Sequence, residues 1–172
     1  MAPEPTLKDL LRDCGHAAVH LEMRDGYMRS DPMFIAWQDG QRYDPAARTS
    51  WWDEWWQLTA DTVARGVSMR RARIVSEPVS DYVQFEYDVT FMNIAAGEDV
   101  RWLPRRQASD LALPGNDFWL LDEQTVVLNH FTGDGEFTGV ETSDEPALAK
   151  LCGSAFSSVW ERATPHQNYQ PA

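Results

Sequence analysis

The sequence is poor in several features that define special classes of protein. Its two cysteines, Cys14 and Cys152, are too few for a disulfide framework or for a zinc site with four cysteine ligands. No apolar run approaches the roughly 18 residues that a membrane-spanning helix requires. The N-terminal residues also lack the basic region and apolar core of a signal peptide. We therefore expect a cytoplasmic protein that does not insert into a membrane.

Positive charge is scarce as well. The chain has 15 Lys and Arg against 27 Asp and Glu, which gives a formal net charge of −12 and a pI near 4.6. Nucleic-acid affinity comes largely from Lys and Arg that displace counterions from phosphates, so direct binding to DNA or RNA is unfavourable. An acidic protein can still act at DNA through a basic protein partner.

The local signatures of common reactions are also missing. The chain has no glycine-rich phosphate loop with a Walker lysine, and no HExxH, CxxC or GxSxG motif. The sequence therefore predicts neither a cofactor nor a metal site, and it favours a non-enzymatic protein. An enzyme whose catalytic residues are scattered along the chain stays open as an alternative.

The composition that remains is typical of one globular domain. The chain has 172 residues, 43% hydrophobic and 12% aromatic content, and eight tryptophans. At this length a chain can bury roughly 70% of its unfolded surface. We expect a single domain in which residues 1–66 are mostly helical and residues 67–165 contain the sheet.

Hydrophobic periodicity and capping residues predict the elements. Helices are expected over residues 6–13, 32–37, about 51–65 and from 146 to a stop at Pro165, and strands over 17–24, 69–78, 98–103, 118–121, 125–131 and 137–142. Their order predicts an α/β (α+β) fold, in which helices pack on a mixed sheet of about five to six strands.

Three of these segments carry more specific expectations. In 17–24, Val19 and Leu21 alternate with His20 and Glu22, which predicts a half-buried strand. The mixed faces of 69–78 predict a partly covered strand. Residues 80–95 fit a strand by alternation, but they also fit a helix with a Ser80 or Asp81 cap and a Gly97 stop, and the helix is favoured.

Polar side chains near the predicted strand ends are candidate site residues. His130 beside a carboxylate suits a general base, although its position next to a hairpin favours a surface histidine. Arg105 and Arg106 are able to clamp a carboxylate or phosphate, but pairing with surface acids is favoured. For Asn116 and Asp117, a turn that leads into the next strand is favoured over a ligand site.

Aromatic residues form the second group of candidates. The helix predicted at about 51–65 has an unusually wide apolar face that suits the core, a pocket for a flat ligand or a docking face, with the core favoured. The candidate ligand-binding or partner-binding residues are Trp52, Trp55, Trp102, Arg105, Arg106, Asn116, Asp117, Trp119 and His130.

Several segments resemble a family of small actinobacterial proteins of unknown function. They are RRARIVSEPVSDYVQFEY, AAGEDVRWLPRRQASDLALPGNDFWLLD, VVLNHFTGDGEFTGVE and AFSSVWERATPH, which together cover most of the chain. Members of that family are often encoded beside helix-turn-helix regulators and small companion proteins, which implies a regulatory setting. VRWLP, FWLLD and VVLNH are also similar to the sensor domain of many actinobacterial regulators, which implies a detached effector or partner module.

The order of the C-terminal strands and final helix is similar to that of phospholipase D-like domains. The resemblance implies a phospholipase D-like topology in the C-terminal part. The HxKxxxxD motif of that family supplies a nucleophilic histidine and a phosphate-binding lysine. When its aspartate is aligned with Asp122, Gly115 and Asp117 stand where the histidine and lysine should be. Phosphodiester chemistry is therefore not implied.

We predict a non-enzymatic regulatory module. The prediction depends on the acidic net charge, the absence of catalytic motifs, the wide aromatic face of the 51–65 helix and the family resemblance. The expected partner of the module is a helix-turn-helix regulator or a small companion protein, under the control of a small ligand. The alternative is a small-molecule-modifying enzyme of specialised metabolism with a pocket around Trp102, Arg105, Asp117 and His130. The two expectations differ in whether these side chains meet in one cleft.

Overall fold

The structure is a computed structural model that describes residues 5–47 and 53–172. Its main elements, in chain order, are α1 (Leu7–Asp13), β1 (Ala17–Glu22), α2 (Pro32–Gln38), α3 (Glu54–Ala64), β2 (Ser68–Val75), α4 (Asp81–Val89), α5 (Phe91–Ala95), β3 (Asp99–Pro104), β4 (Phe118–Leu121), β5 (Thr125–Phe131), β6 (Phe137–Ser143), α6 (Pro146–Arg162) and β7 (Thr164–Pro165). Short 3-10 helices follow β3 and β7, at Arg105–Ala108 and His166–Asn168.

The strands form one mixed sheet in the order β6-β5-β4-β1-β2-β3-β7. β1, β2 and β3 are parallel, and β4, β5 and β6 continue from β1 as an antiparallel ladder. The α+β class and the mixed sheet are confirmed. The described residues give seven strands rather than five to six, because β7 has only two residues and is too short to produce a hydrophobic pattern.

The predicted exposure of the two central strands was wrong. β1 lies between β2 and β4, so the N-terminal part of the chain supplies a central strand whose last five residues are buried. The last five residues of β2 are buried too. Both strands carry polar side chains on one face, and these can be buried because they form ion pairs with one another.

Helices cover both faces of the sheet. On one face, Cys152, Phe156 and Val159 of α6 pack against Leu21 and Ile74 of the central strands. On the other face, α1 and α3 pack against β1, β4 and β5, while α4 packs against β2 and β3. Helix α2 does not reach the sheet core and packs on α4 instead. This second face is the one that carries the buried polar residues.

The ambiguous segment 80–95 is helical, as favoured by its caps. The Ser80 side chain accepts a hydrogen bond from the Val83 amide at 3.1 Å. Gly97 ends α5 with a φ of 97°, and a Cβ there would lie 2.8 Å from Val63 Cγ1, so only glycine fits without a shift. Helix α3 begins at Glu54, and Asp53 is its N-cap; residues 51 and 52, at the start of the predicted helix, lie outside the described residues.

Candidate functional site

A cavity of about 720 Å³ opens on the sheet face opposite α6. We call it the sheet-face cavity. Helices α3 and α4 contribute Trp55 and Tyr82 to it, and the exposed side chains of Phe137 and Val140 stand at its rim on β6. Its polar lining residues are Thr6, Lys8, His20, Glu22, Glu86, Asp117, Asn129 and Thr142, and its other aromatic ones are Tyr27, Trp119 and Phe131.

Glu22 is the centre of a buried ion-pair network below this cavity. One carboxylate oxygen accepts a hydrogen bond from Arg71 at 2.5 Å, and the other accepts one from Arg73 Nε. Arg71 also donates to Glu98 at 2.8 Å, and Arg73 donates to the Thr90 hydroxyl at 2.6 Å. Burial alone would raise the pKa of Glu22, but the guanidinium groups of Arg73 and Arg71 outweigh it and hold that pKa well below its usual value.

His20 is fixed by contacts on both of its ring nitrogens. Nδ1 lies 2.8 Å from the carbonyl oxygen of Phe118, and Nε2 lies 3.1 Å from Glu22 Oε1. The ring stacks on Trp119 with centroids 4.2 Å apart and an interplanar angle of 9°. A molecule in the cavity therefore meets a histidine whose nitrogens both have partners already.

Asp117 is buried and held from two sides. Its Oδ1 accepts a hydrogen bond from the Met23 amide at 2.9 Å, and its Oδ2 accepts one from the Tyr27 hydroxyl. Burial raises the pKa of Asp117 even though these two hydrogen bonds act in the opposite direction. Burial also raises the pKa of Tyr27 well above its usual value, so Tyr27 remains a donor across the physiological pH range.

Glu86 differs from the other acids because it lacks a close donor. Its residue is only 8% exposed, and its carboxylate lies 3.9 Å from Arg73 NH2. No hydrogen bond reaches its side chain within residues 5–47 and 53–172, although its backbone carbonyl accepts one from Thr90. Burial, the largest influence, raises the pKa of Glu86 to about 8. Glu86 also lines a smaller adjoining cavity of about 210 Å³.

The structure brings together only some of the residues that the sequence singled out. Trp55, Asp117 and Trp119 line the sheet-face cavity. Trp119 and Trp55 meet edge to face, with ring centroids 5.9 Å apart. Trp52 lies outside the described residues. Within the described part of α3, Trp56 is buried, whereas Trp55 is partly buried and packs against the core beside the cavity.

The remaining predicted residues lie elsewhere and do not share a cleft. Trp102 is fully buried and donates to His166 Nδ1 at 3.1 Å. Arg105 donates to the Met23 carbonyl oxygen at 2.6 Å and to Asp25 at 3.2 Å, so it ties strand ends together.

Arg106 and Asn116 are exposed. His130 follows Asn129 on β5, so strand alternation turns it to the opposite sheet face, where it lies 3.3 Å from Glu141. The pocket expected around Trp102, Arg105, Asp117 and His130 is therefore not formed, because these side chains belong to different surfaces.

Sequence reasoning missed most of the polar lining of the cavity. His20 and Glu22 were assigned to a solvent-facing side of β1, and Glu86 was only one position in an ambiguous segment. The sequences of β1 and β2, compared with each other, do contain a signal for this polar cluster. Polar residues alternate in β1 at His20 and Glu22, and arginines alternate in β2 at Arg71 and Arg73. Complementary charges on adjacent strands are typical of a buried ion-pair network.

Two further features are absent from the described residues, a metal-binding cluster and a membrane-spanning helix. No group of three or more His, Cys, Asp and Glu side chains in residues 5–47 and 53–172 is arranged to hold a metal ion. None of the described helices combines the length and the apolar character needed to cross a lipid bilayer.

Asp122 aligns with the aspartate of the phospholipase D motif, and its role in this structure is to hold a loop. It accepts hydrogen bonds from the amides of Gly15, His16 and Ala17 at 2.8, 2.7 and 2.9 Å. Burial opposes ionisation, but these amides outweigh it and lower the pKa of Asp122 to about 2. At the lysine position, Asp117 brings a carboxyl group into the cavity instead of a cation.

Comparison with solved structures finds a similar fold at low sequence identity. Nuc from Salmonella typhimurium, a phospholipase D family member, matches with a TM-score of 0.52 and 11% identity over 92% of this chain and 86% of Nuc. NucT from Helicobacter pylori matches with a TM-score of 0.54 and 9% identity over 92% of this chain and 87% of NucT. The phospholipase D-like topology is therefore confirmed as a fold.

Other comparisons give less detail. The archaeal chromatin protein TrmBL2 has a TM-score of 0.49 and 14% identity over 91% of this chain, which spans 47% of TrmBL2. No curated protein sequence matches the chain. A family model described as a domain of unknown function, DUF6879, matches residues 5–171.

Proposed function

The chain belongs to the DUF6879 family, a domain of unknown function, and we propose that it is a non-enzymatic regulatory module that binds a small organic molecule in the sheet-face cavity. The observation that carries the proposal is the cavity itself. Its volume of about 720 Å³ falls in the range of about 300–1,000 Å³ that small-molecule sites occupy. Aromatic walls and a few buried polar groups are the lining that such sites use.

The polar groups of the cavity favour binding over turnover. His20 contacts a carbonyl oxygen and Glu22, while Glu22 is held by two arginines. A general base needs a nitrogen or oxygen within reach of the proton it removes. His20 and Glu22 would first have to break buried contacts. A rigid polar floor of this kind instead orients a ligand without reacting with it.

An enzyme is the second candidate, and Glu86 is the observation that favours it. Burial raises the pKa of Glu86 to about 8, and a general acid or base is most effective when its pKa lies near the working pH. If the protein is an enzyme, a compound bound in the cavity is converted by the wild type and left unchanged by Glu86→Gln. A bound compound that both proteins leave unchanged contradicts this second candidate.

The regulatory part of the proposal concerns a protein partner. The net charge of −12 suits a basic partner such as a helix-turn-helix regulator or a small companion protein, because complementary charge accelerates and selects association. Met28, Phe137 and Val140 are 39%, 49% and 42% exposed at or beside the cavity rim. A ligand below these side chains is placed to change the surface that a partner meets.

The binding proposal is tested with a compound screen by thermal unfolding. Val140→Trp places a large side chain at the rim, and Leu151→Trp makes the same kind of change on exposed α6, away from the cavity. A ligand present at about 100 times its Kd stabilises a protein by about 2.7 kcal/mol. We expect a cavity ligand to raise the Tm of the wild type and of Leu151→Trp, with a much smaller rise for Val140→Trp.

The proposal fails if every stabilising compound acts equally on both variants, because binding then takes place elsewhere. The partner proposal has a separate test, which is affinity purification from the native host at low and high salt. Recovery of a basic DNA-binding protein that salt releases supports it. Recovery of the chain alone at low salt contradicts it.

A further inference from the structure

The buried groups beneath the sheet-face cavity include more carboxyl groups than guanidinium groups. Two guanidinium groups, those of Arg71 and Arg73, serve this cluster, and each residue is at most 7% exposed. The buried acids of the cluster are Glu22, Glu86, Glu98 and Asp117, each at most 9% exposed. If all four carboxyl groups were ionised, they would outnumber the two guanidinium groups. Buried charges require partners, so a cation that enters the cavity can replace the proton on a buried carboxyl group.

Among the described residues of this cluster, Glu86 is the buried acid that lacks a close hydrogen-bond donor. The guanidinium group of Arg73 gives its hydrogen bonds to Glu22 and Thr90, and its nearest approach to the Glu86 carboxylate is 3.9 Å. The remaining acids have close donors. Glu98 accepts a hydrogen bond from Arg71 at 2.8 Å. Asp117 accepts hydrogen bonds from the Tyr27 hydroxyl and from a main-chain amide. A carboxyl group buried without a donor is costly, so Glu86 gains most from a donor in the cavity.

The walls around Glu86 suit a cation with an apolar body. Trp55 and Trp119 meet edge to face, and Tyr82 stands one helical turn from Glu86 in α4. Aromatic faces attract ammonium groups and also cover flat apolar surface. The acidic residues that line the same cavity repel carboxylates and phosphates. Lys8, which also lines it, already lies 2.7 Å from Glu54.

We propose that the ligand of the sheet-face cavity is an organic amine, whose ammonium group pairs with Glu86 and whose aromatic or aliphatic body packs against Trp55 and Trp119. This inference rests on the proposed function, because it names the chemical class of the molecule that the cavity binds. Burial raises the pKa of Glu86 to about 8 although Arg73 acts in the opposite direction, as expected for a buried carboxyl group without a close hydrogen-bond donor.

Calorimetric titration of three related probes tests the amine. Tryptamine, indole-3-ethanol and indole-3-acetate share one aromatic body and differ in carrying a cation, a neutral hydroxyl and an anion. Each is titrated at neutral pH into the wild type, Glu86→Gln and Glu161→Gln. Glu161 is an exposed glutamate of α6, on the other side of the sheet, and serves as the matched control.

We expect tryptamine to bind the wild type and Glu161→Gln at least about tenfold more tightly than indole-3-ethanol, as a charge-assisted hydrogen bond predicts. Indole-3-acetate should bind most weakly. In Glu86→Gln the advantage of tryptamine should disappear, while the affinity for indole-3-ethanol is kept. The retained affinity also shows that the variant is folded.

Other outcomes overturn the inference, and they separate it from the proposed function. Equal affinity for tryptamine and indole-3-ethanol, or tightest binding of indole-3-acetate, rules out pairing with Glu86. If Val140→Trp then abolishes that binding, the cavity remains a ligand site of another class. The amine proposal is also overturned if no probe binds at millimolar concentration. The compound screen with Val140→Trp tests the proposed function independently.

Discussion

Arg73 lies 3.9 Å from the carboxylate of Glu86, yet it gives its hydrogen bonds to Glu22 and Thr90. Two buried glutamates beside the same guanidinium group therefore reach opposite states. The pKa of Glu22 is held well below its usual value, and that of Glu86 is raised to about 8. Because both residues are under 10% exposed, the difference comes from their partners and not from their burial.

The raised pKa of Glu86 predicts how stability depends on pH. The folded protein keeps the proton up to about pH 8, whereas an unfolded glutamate loses it near its ordinary value of 4.5. Between these values the folded state binds more protons, so the free energy of unfolding falls as pH rises. Glu86→Gln removes this dependence. We expect the variant to gain stability over the wild type as pH rises from about 6 to about 9.

Urea unfolding of both proteins at the two pH values measures this effect. Asp117, whose pKa is also raised, is present in both proteins, so its contribution largely cancels in the comparison. Glu161→Gln should follow the wild type at both pH values. The same difference between wild type and Glu86→Gln at low and high pH would show that Glu86 does not titrate in this range.

Removal of Glu22 should be far more costly than removal of a surface acid. Glu22→Ala leaves Arg71 and Arg73 buried with fewer acceptors, and a broken buried ion pair costs about 3–5 kcal/mol. Glu161→Ala, at an exposed position, should change stability by less than about 0.5 kcal/mol. Chemical denaturation measures both variants. A loss below about 1 kcal/mol for Glu22→Ala would mean that the network contributes little to the fold.

The Tyr27 hydroxyl should contribute more than an ordinary tyrosine hydroxyl. Tyr27→Phe leaves Asp117 with the Met23 amide as its remaining donor, and a hydrogen bond to a charged group contributes about 1.5–3 kcal/mol. Tyr87→Phe is the control, because the Tyr87 hydroxyl donates to the neutral carbonyl oxygen of Tyr169 at 2.9 Å. Its loss should cost about 1 kcal/mol. Equal losses from the two variants would contradict an extra contribution from the hydrogen bond between Tyr27 and Asp117.

Asp122 should stabilise the protein most in its ionised form. Asp122→Ala leaves the amides of Gly15, His16 and Ala17 without their acceptor, which should cost about 1–3 kcal/mol. Because the folded pKa is lowered to about 2, this contribution is present above the ordinary value of 3.8 and is lost as pH falls toward 2. The difference between wild type and variant should therefore shrink in acid. A difference that stays constant down to about pH 2 would contradict this assignment.

Local signals in the sequence were enough to predict most elements of the fold. The capping box between Thr6 and Asp9 marks the start of α1, and Asp31 followed by a proline marks the start of α2. Period-two alternation located β4, β5 and β6. In each case the deciding residues are neighbours in the chain, so their pattern can be recognised without knowledge of the tertiary structure.

The candidate site depends on contacts that the sequence does not display. Tyr27 and Asp117 are 90 positions apart in the chain, and Glu22 and Arg73 are 51 apart. In a single strand, a polar residue that faces solvent and one that faces a buried counter-charge give the same alternation. Asp117 was therefore interpreted as a turn residue, and the polar face of β1 as exposed. Only the pairing of β1 with β2 and β4 reveals the cluster.

NMR of the tryptophan indole N–H groups is the most direct test of the central claim that the sheet-face cavity binds a small molecule. Trp55 and Trp119 line that cavity, while Trp102 is buried beside Tyr169, and Trp160 packs with α6 on the other sheet face. Titration with a stabilising compound should shift the signals of Trp55 and Trp119 and leave those of Trp102 and Trp160 in place. Shifts confined to Trp102 or Trp160, with Trp55 and Trp119 unchanged, would contradict the claim.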